Sequence, residues 1–565
     1  MPRPRTGKTH TSIRRELRKN GDTYLYERTT GYDPETKKTK TLSTVLVGVI
    51  RAGTTEVVPT RPKRKSKSQS RPVDASRNRL YRDAILDKIG EESGIDKDLV
   101  ESFGEGDGQK IASIVRYYLA TDGASLTRMA TWQIENQVPY AHPISADMYG
   151  DLRTRIGQDV SGVQSYFLAR AKMAQNLDSE LLQIAVDSTT FSTYSESLTF
   201  ARQGFNKDGD GLDTIKVLLV NSTANRQPIA FAIQPGNIPD RTSVLSTVRQ
   251  LEFLQLVNAL FVGDNGFYSQ DNVAHLSRNN MDFLLLANST DSWVKKAIED
   301  SRDELKLMSH NCDFEDDLFG MTIPCTRSFG TSKNMDENVT PQVFAHIFYK
   351  ESLAVEQKNA HRAHLKELKR QIEGGEEVFT RAAQAKIDKC LIVDRSGPTV
   401  KITFNEQGIA DDQKNLGHFV LVSNKLDQPF VALKGYRRRE TVEELIKTSK
   451  NTFEMRKPRV RSEPALFGRV FCQFVGLGYH SFFREKIEKI KAQLKIEDPS
   501  KTEAQKKLEQ NLLAWLDKTS LVGILDWFGC VTRVTATSAT QVMDQVSETT
   551  KRDRLFLELF GIEPV

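Results

Sequence analysis

The chain has 565 residues, of which 38% are hydrophobic and 27% are charged. At about 100–200 residues per domain this length predicts about three or four domains, and the apolar fraction excludes a wholly disordered chain. No segment supplies the run of about 18 apolar residues that a membrane-spanning helix needs, so no membrane association is expected. The basic start has no apolar segment behind it, which argues against a secretory signal. The five cysteines lack the CxxC spacing of a zinc ribbon and favour a reducing, cytoplasmic location.

Positive charge is concentrated at the start of the chain. Residues 1–80 contain 20 Lys and Arg against 7 Asp and Glu, a net charge of +13, whereas the whole chain carries +6, which leaves −7 for the rest. The densest part, residues 61–75, also contains Pro and Ser and predicts an unstructured basic linker. Such a linker either neutralises DNA phosphates or only keeps the chain soluble, and charge alone does not decide between the two.

Two different patterns precede the first acidic strand. Alternating apolar and polar residues on both sides of a turn with Gly and Pro predict a β-hairpin at residues 24–50, within an N-terminal module of residues 1–60. Across residues 76–180 the apolar residues follow helical spacing. We therefore expect a helical domain there, with DNA binding or dimerisation as its role.

Residues 181–291 are predicted to form strands interrupted by helices. Apolar runs end at Asp187 and at Asp264, so each of these strands is expected to deliver a carboxylate at its end. Further strands are expected at residues 214–220, 228–233 and 283–287. The first three strands follow one another closely, which predicts an antiparallel succession.

The second half of the chain is expected to contain an insertion. Residues 292–417 combine short β runs with a helical pair at 352–373 and 376–389. Residues 418–495 return to strand character at 418–423 and 429–434, before a helix that starts at Glu440. A C-terminal helical region is expected at residues 496–565.

The two strand-end acids suggest metal-dependent chemistry. An ionised carboxylate at the exit of a buried strand needs a cation or a hydrogen-bonded partner, although an Asp that only caps a turn is the alternative for Asp187 or Asp264 taken alone. Phosphodiester chemistry commonly uses two divalent cations about 3.5–4 Å apart, and carboxylate oxygens suit Mg²⁺. A third acid would favour the metal site.

That third acid is found in a spaced set of four residues. Tyr436, Arg439, Glu443 and Lys450 are separated by two, three and six residues. On a helix, Arg439 and Glu443 are neighbours at positions i and i+4, and Lys450 lies about two turns beyond on the same face. A surface helix with an ordinary ion pair is the alternative.

This spacing resembles the signature of DDE transposases of the insertion-sequence-four type, which implies Glu443, rather than the adjacent Glu440 or Glu444, as the third acid. The segments Ala185-Val-Asp-Ser-Thr-Thr and Val262-Gly-Asp-Asn-Gly-Phe-Tyr-Ser are similar to that family's first and second acidic motifs, and the likeness covers most of residues 181–475. The resemblance implies an α/β fold with a ribonuclease-H-like catalytic core. Its two parts, residues 181–291 and 418–495, would be separated by a β-rich and helical insertion at 292–417.

The resemblance also implies roles for the site residues. Asp187, Asp264 and Glu443 would be catalytic and would hold two Mg²⁺ ions, with Mn²⁺ as an alternative. Contacts with DNA at the transposon end would come from Tyr436, Arg439 and Lys450. These roles agree with the chemistry of the side chains, because a Tyr ring can stack on a base and Arg can bind a phosphate in a bidentate manner.

The predicted function is cut-and-paste DNA transposition, in which the terminal inverted repeats of an insertion sequence are cleaved and joined to target DNA. Pairing of two ends implies a homodimer on DNA, built on residues 76–180 or on helices around 512–525, in the cytoplasm and associated with the nucleoid. Two alternatives are an Mg-dependent nuclease without strand transfer and a non-catalytic DNA-binding protein derived from a transposase. The second has no need of three carboxylates facing phosphate.

Other candidates have simpler interpretations. His361 and His364 form an HxxH pair, but a zinc site needs further ligands, so exposed helix residues are expected. Asp240 is expected to be the N-cap of a helix, with a fourth acid near the metals as the alternative. Trp293 is expected to pack in the core, with a wedge for a flipped base as the alternative.

Overall fold

A computed structural model describes residues 9–33, 36, 38–60, 74–177, 181–204, 206, 209–256, 258–330, 338–376, 378–396, 400–451, 460–537 and 542–565. All of the predicted basic linker except residues 74 and 75 lies outside these ranges. The chain divides into two units, one formed by Met1–Ala75 with Ala536–Met543 and the other by Ser76–Thr535 with Asp544–Val565.

The first unit contains an antiparallel sheet in the order β1-β2-β3-β4. Its strands are β1 (His10–Leu17), β2 (Thr23–Asp33), β3 (Lys38–Ile50) and β4 (Val57–Pro59). Strands β2 and β3 form the predicted hairpin, whereas β1 and β4 were not predicted. Strand β1 is hard to recognise because six of its eight residues are polar and its two apolar residues, Ile13 and Leu17, are exposed.

The second unit begins with helices, as the spacing of apolar residues predicted. After β5 (Asp74–Asn78) they are α1 (Leu80–Glu92), α2 (Ile95–Thr121), a short 3₁₀ turn (Leu126–Arg128), α3 (Met129–Trp132), α4 (Ala146–Gln158) and α5 (Val160–Leu177). Their apolar faces are buried together, as expected for amphipathic helices that pack into one core.

The centre of the second unit is a mixed nine-stranded sheet. Its first part is β6 (Gln183–Thr193), β7 (Asp213–Ser222), β8 (Pro228–Pro235), α6 (Asp240–Phe253), β9 (Leu260–Gly263), α7 (Gln270–Arg278) and β10 (Phe283–Leu286). Strands β6, β7 and β8 are antiparallel neighbours, which confirms the predicted succession. Strand β9 is parallel to β6, and β10 is parallel to β9.

The segment predicted as an insertion adds strands to the same sheet. It contains α8 (Ser292–Leu305), a 3₁₀ turn (Met308–His310), β11 (Asn311–Cys312), β12 (Glu315–Thr326), β13 (Gln342–Lys350), α9 (Glu351–Glu373), α10 (Arg381–Cys390), β14 (Leu391–Asp394), β15 (Lys401–Phe404) and α11 (Glu406–Gln413). Helices α9 and α10 form the predicted helical pair, although α10 begins at Arg381 rather than at Glu376. The sheet runs in the order β11-β12-β13-β16-β10-β9-β6-β7-β8, where β16 is His418–Ser423.

The rest of the chain is mainly helical. It contains α12 (Pro429–Arg437), α13 (Glu440–Asn451), α14 (Glu463–Leu494), α15 (Glu503–Lys518), α16 (Leu521–Gly529), β17 (Arg533–Thr537), β18 (Val542–Val546) and α17 (Lys551–Phe560). The strand predicted at residues 429–434 is wrong, because this segment is the first part of α12. Its proline stands at the start of the helix, where the fixed φ angle is favourable and no backbone N–H is needed.

The long helix α14 supports the sheet from one side. An aromatic cluster joins α5, β8 and α14, with ring centroids of Phe167, Phe231 and Phe474 separated by 5.2–5.5 Å. Such packing holds the β8 edge of the sheet against the two helices. Within the part of the chain that the structure describes, none of the helices has the length and apolar character to cross a membrane.

Candidate functional site

Two of the predicted acids lie side by side at the centre of the sheet. The register pairs Ala185 on β6 with Val262 on β9, and Asp187 and Asp264 each follow two residues later. Because side chains alternate along strands, both carboxylates are placed on the same side of the sheet. Asp264 follows the last residue of β9 as predicted, whereas Asp187 lies within β6, which continues to Thr193. The expectation that its strand ends at Asp187 is therefore wrong, since β7 pairs along the whole of β6.

Arg439 connects the first acid to the third. Its Nη2 donates to Glu443 Oε1 at 2.7 Å, and its Nη1 donates to Asp187 Oδ2 at 3.4 Å across 252 positions of sequence. Arg439 lies in the turn before α13 rather than on the helix, which begins at Glu440. The i,i+4 relation still brings the two side chains together, as the spacing predicted.

Burial and neighbouring charges govern the electrostatics of this group. Burial raises the pKa of Asp187 to about 6, against the opposing effect of Arg439, and the charges of Asp264 and Glu443 add to the rise. Burial acts to lower the pKa of Arg439, but Tyr436 and the three carboxylates raise it above its ordinary value. A buried carboxylate with a raised pKa is one whose charge lacks sufficient compensation from the protein.

Tyr436 belongs to the same group, whereas Lys450 contacts β6 further along. The guanidinium of Arg439 lies 5.5 Å from the centre of the Tyr436 ring. Burial raises the pKa of Tyr436, with the nearby Asp264 acting in the same direction. The ammonium group of Lys450 lies 5.6 Å from the centre of the Phe191 ring. Tyr436, Arg439 and Glu443 thus lie close to one another and to the aspartates. Lys450 lies against β6, the strand that carries Asp187.

A cavity of about 470 Å³ opens beside the two aspartates, and its lining includes Asp240 and Lys216. Asp240 is not the N-cap, which is Pro239; it is the first residue of α6. Its Oδ1 accepts hydrogen bonds from Ser188 Oγ at 2.6 Å and from Lys216 Nζ at 2.7 Å. The expected capping role is wrong because these two donors engage the carboxylate.

Gly266 shows how closely Asp240 approaches the second acid. A Cβ atom at this position would lie 3.0 Å from Asp264 Oδ1 and 3.3 Å from Asp240 Oδ2. The two carboxylates therefore flank the glycine. A role for Lys216 was not predicted from the sequence. The available signal was a single lysine within the apolar run of β7, which indicates a buried charge that needs a partner.

The chemistry of the donors fits divalent cations. Asp187, Asp264 and Glu443 offer only carboxylate oxygens, which Mg²⁺ prefers, and a cation would offset the cost of ionising the buried Asp187. Thr189 lines the same cavity, and its Oγ1 is buried without a hydrogen-bond partner among the described residues. In the present arrangement the Arg439 guanidinium balances part of the carboxylate charge.

The described residues bring three metal-ligand atoms within 4.8 Å of one another at His361, Cys390 and Asp412, and not at the three acids. In this second cluster, the Asp412 carboxylate forms ion pairs with two lysines. Lys389 Nζ lies 3.0 Å from Asp412 Oδ1, and Lys386 contacts the other oxygen. Burial opposes ionisation of Asp412, but the two lysines lower its pKa to about 2. The ammonium groups already neutralise this carboxylate, so the cluster is a poor cation site.

The HxxH pair is only partly as expected. His364 is exposed, but the His361 side chain is 7% exposed and its Nε2 lies 2.8 Å from Asp412 Oδ2. The expectation of two exposed residues is therefore wrong for His361, because α11 covers that part of α9. The Trp293 indole is partly buried against the core and donates to Tyr268 Oη at 3.0 Å, in agreement with the packing interpretation.

The family model described as "Transposase DDE domain" matches residues 178–475, which is more than half of the chain. A cryo-EM structure of a piggyBac transposase synaptic complex with hairpin DNA is similar with a TM-score of 0.33 and 10% identity, over 86% of this chain and 86% of that chain. No curated protein gives a significant match.

Proposed function

Because this chain belongs to the family of transposase DDE domains, we propose that it cuts the ends of an insertion sequence and joins them to target DNA by two-metal phosphoryl transfer. The observation that carries this proposal is the convergence of distant residues. Arg439 binds Asp187 and Glu443 together, and Asp187 and Asp264 line one cavity. We further propose that Tyr436, Arg439, Glu443 and Lys450 make this a member of the insertion-sequence-four type.

The proposed catalytic core is ribonuclease-H-like. It would consist of residues 181–291 and 418–495, with residues 292–417 as the insertion. The three antiparallel strands β6–β8 followed by the parallel strands β9 and β10 support this proposal. They bring the first two acids to adjacent strands, while α13 follows the insertion and brings the third. The N-terminal module (1–60), linker (61–75), helical domain (76–180) and C-terminal region (496–565) would serve DNA binding and assembly.

The three acids would hold two Mg²⁺ ions. When bound, such ions activate the attacking oxygen and stabilise the leaving oxygen of a phosphodiester. The chain's own residues would orient the DNA around them. Arg439 has the planar fork that binds phosphate, Lys450 supplies a point charge, and Tyr436 presents a ring for stacking on a base. Arg439 would then exchange part of its carboxylate contacts for phosphate.

DNA is the proposed partner, in the form of terminal inverted repeats and target. Two ends must be cut in a coordinated way, so we propose a homodimer on DNA. The helices α1–α5 or the pair α15 and α16 would provide its interface. Trp527 on α16 is an exposed aromatic residue, 44% accessible, of the kind that protein interfaces favour.

The test is cleavage of the element's own ends. Purified protein is incubated with Mg²⁺ and labelled DNA that contains the flanking terminal repeats, and the products are resolved on a denaturing gel. We expect nicked, hairpin or joined products from the unaltered protein. Asp187→Asn is expected to lower cleavage by at least about 100-fold while end binding persists, since an amide replaces an anionic ligand.

Glu440→Gln is the matched control for Glu443→Gln. Both glutamates lie in the first turn of α13, but Glu440 is exposed and has no place in the spaced set. Glu443→Gln should abolish cleavage and Glu440→Gln should preserve it. Nicking without joining of pre-cut ends would favour the nuclease alternative, and binding without any cleavage would favour the non-catalytic one.

A further inference from the structure

The N-terminal sheet has two chemically different faces. Side chains alternate along a strand, so every second residue of β2 shares a face. Tyr24, Tyr26, Arg28, Thr30 and Tyr32 lie on one face of β2. The two register shifts between β2 and β3 place their extra residues on β3, so the alternation of β2 is unbroken. We call the side that carries these five residues the tyrosine face.

Strand β1 adds a second arginine to the tyrosine face. Arg14 pairs with Tyr26 across the strands, so the two side chains point the same way. Arg18, just beyond β1, places its guanidinium 5.6 Å from the centre of the Tyr24 ring. From the other side, Thr41 of β3 accepts a hydrogen bond from Arg28 Nε at 2.9 Å. Arginine, tyrosine and hydroxyl groups therefore form one continuous surface.

The opposite face is apolar and mixed in charge. Arg15 pairs with Leu25, and Ile13 pairs with Glu27. Leu25 is 6% exposed, whereas Ile13 is 63% exposed. Two neighbouring arginines of β1, Arg14 and Arg15, thus stand on opposite faces, and both are exposed.

Charge favours a polyanion as the occupant of the tyrosine face. Among the described residues of β1–β3, the three arginines share this face with one acid, Glu16, whose Oε1 lies 3.3 Å from Arg18 Nη2. The surrounding sequence has the same sign, because residues 1–80 carry a net +13. Arginine binds phosphate and guanine edges in a bidentate manner, and tyrosine offers a hydroxyl donor on a flat ring. A protein partner would need a matching acidic surface.

Size also fits double-stranded DNA. The three arginines lie on or just beyond the neighbouring strands β1 and β2, which are about 4.8 Å apart, and the major groove, about 12 Å wide, admits a two-stranded β-ribbon. We propose that the tyrosine face of β1–β3 binds duplex DNA, with Arg14, Arg18 and Arg28 as its main contacts. The inference rests on the proposed action on DNA, and it names the surface that carries the binding.

The test compares charge reversal at two adjacent positions. Arg14→Glu and Arg15→Glu change the net charge equally and differ only in the face that they alter. Full-length protein is titrated into fluorescent duplex DNA without Mg²⁺, once with the terminal repeat and once with an unrelated sequence, at two salt concentrations. We expect Arg14→Glu to weaken binding about tenfold more than Arg15→Glu and to make the salt dependence shallower.

Each outcome decides the proposal. Equal weakening by the two variants, or no weakening by Arg14→Glu, would overturn it. If Arg14→Glu disrupts association between chains and leaves DNA affinity unchanged, the face binds protein and the proposal is wrong. Arg14→Ala, with circular dichroism as a check of folding, tests the same contact without introducing an acid. Because binding is measured without Mg²⁺, a chain that binds through this face but never cleaves would refute the proposed function alone.

Discussion

Lys216 has a buried ammonium group whose positive charge is paired with the Asp240 carboxylate. Its side chain is 6% exposed, while that of Asp240 is 32% exposed. Besides the carboxylate, Lys216 contacts the backbone carbonyl of Ile238. Burying a charge is costly unless it is paired. The pair therefore holds the start of α6 against β7, beside the cavity that Asp187 lines.

A double-mutant cycle should detect this dependence. Asp240→Ala leaves the lysine buried with a single carbonyl, so we expect it to lower the free energy of unfolding by about 2–3 kcal/mol. Lys216→Met should cost less, because the freed carboxylate has access to water. The double variant should lose about 1–2 kcal/mol less free energy of unfolding than the two single variants lose together. This coupling energy is modest because Asp240 is partly exposed. Urea denaturation measures all four proteins, and strictly additive effects would contradict the pairing.

The acids could be predicted from sequence more readily than their surroundings. Asp264 follows a short apolar run, and Glu443 is indicated by the resemblance of the spaced set to a family signature. The engagement of Asp240 by Ser188 and Lys216 could not be predicted, because it depends on how β6, β7 and α6 meet in space. N-cap statistics favour Asp before a helix, but they contain no information on such tertiary contacts.

At the scale of elements, the crossing of α4 and α14 depends on two glycines. A Cβ atom at Gly468 would lie 1.8 Å from the Arg153 carbonyl oxygen, and one at Gly157 would lie 1.9 Å from that of Pro464. Backbone atoms of each helix thus occupy the space where the other would carry a side chain. Such close approach is possible only without Cβ atoms. The long helix is thereby fixed against the helical part of the second unit.

Gly468→Ala is expected to destabilise the protein by about 1–3 kcal/mol or more, because two backbones must separate to admit a methyl group. Gly150 is the matched control, since it lies on α4 and has no atom within 4 Å of its would-be Cβ. Gly150→Ala should be neutral or stabilise the helix by up to about 1 kcal/mol. Thermal unfolding of both variants is the measurement. A neutral Gly468→Ala would show that the helices do not cross this closely.

The elements that were predicted correctly have strong periodic patterns. Strands β6, β7 and β8 each contain a continuous apolar run, and helices α9 and α10 are separated by a clear Gly-Gly break at residues 374–375. The error at α12 has a physical cause. Its nine residues are apolar enough to suit a buried strand or a buried helix, and periodicity cannot distinguish the two over so short a segment.

At the scale of the whole molecule, residues from distant parts of the chain build the site. The sheet places Asp187 beside Asp264, and the strands of the insertion segment join the same sheet before the chain returns to α13. The register of β6 with β9 and the contact from Arg439 to Asp187 are long-range features. Sequence spacing indicated which residues are candidates for the site, but their proximity in space follows only from the fold.

The most direct test of the central claim is a count of bound Mn²⁺ ions, with Mn²⁺ used as a paramagnetic substitute for Mg²⁺. Full-length protein with pre-cut end DNA is titrated, and electron paramagnetic resonance reports the free ion. We expect about two ions per chain for the unaltered protein and for Glu440→Gln. Asp187→Asn, Asp264→Asn and Glu443→Gln should each lose at least one. Unchanged stoichiometry in these three variants would contradict a shared metal centre.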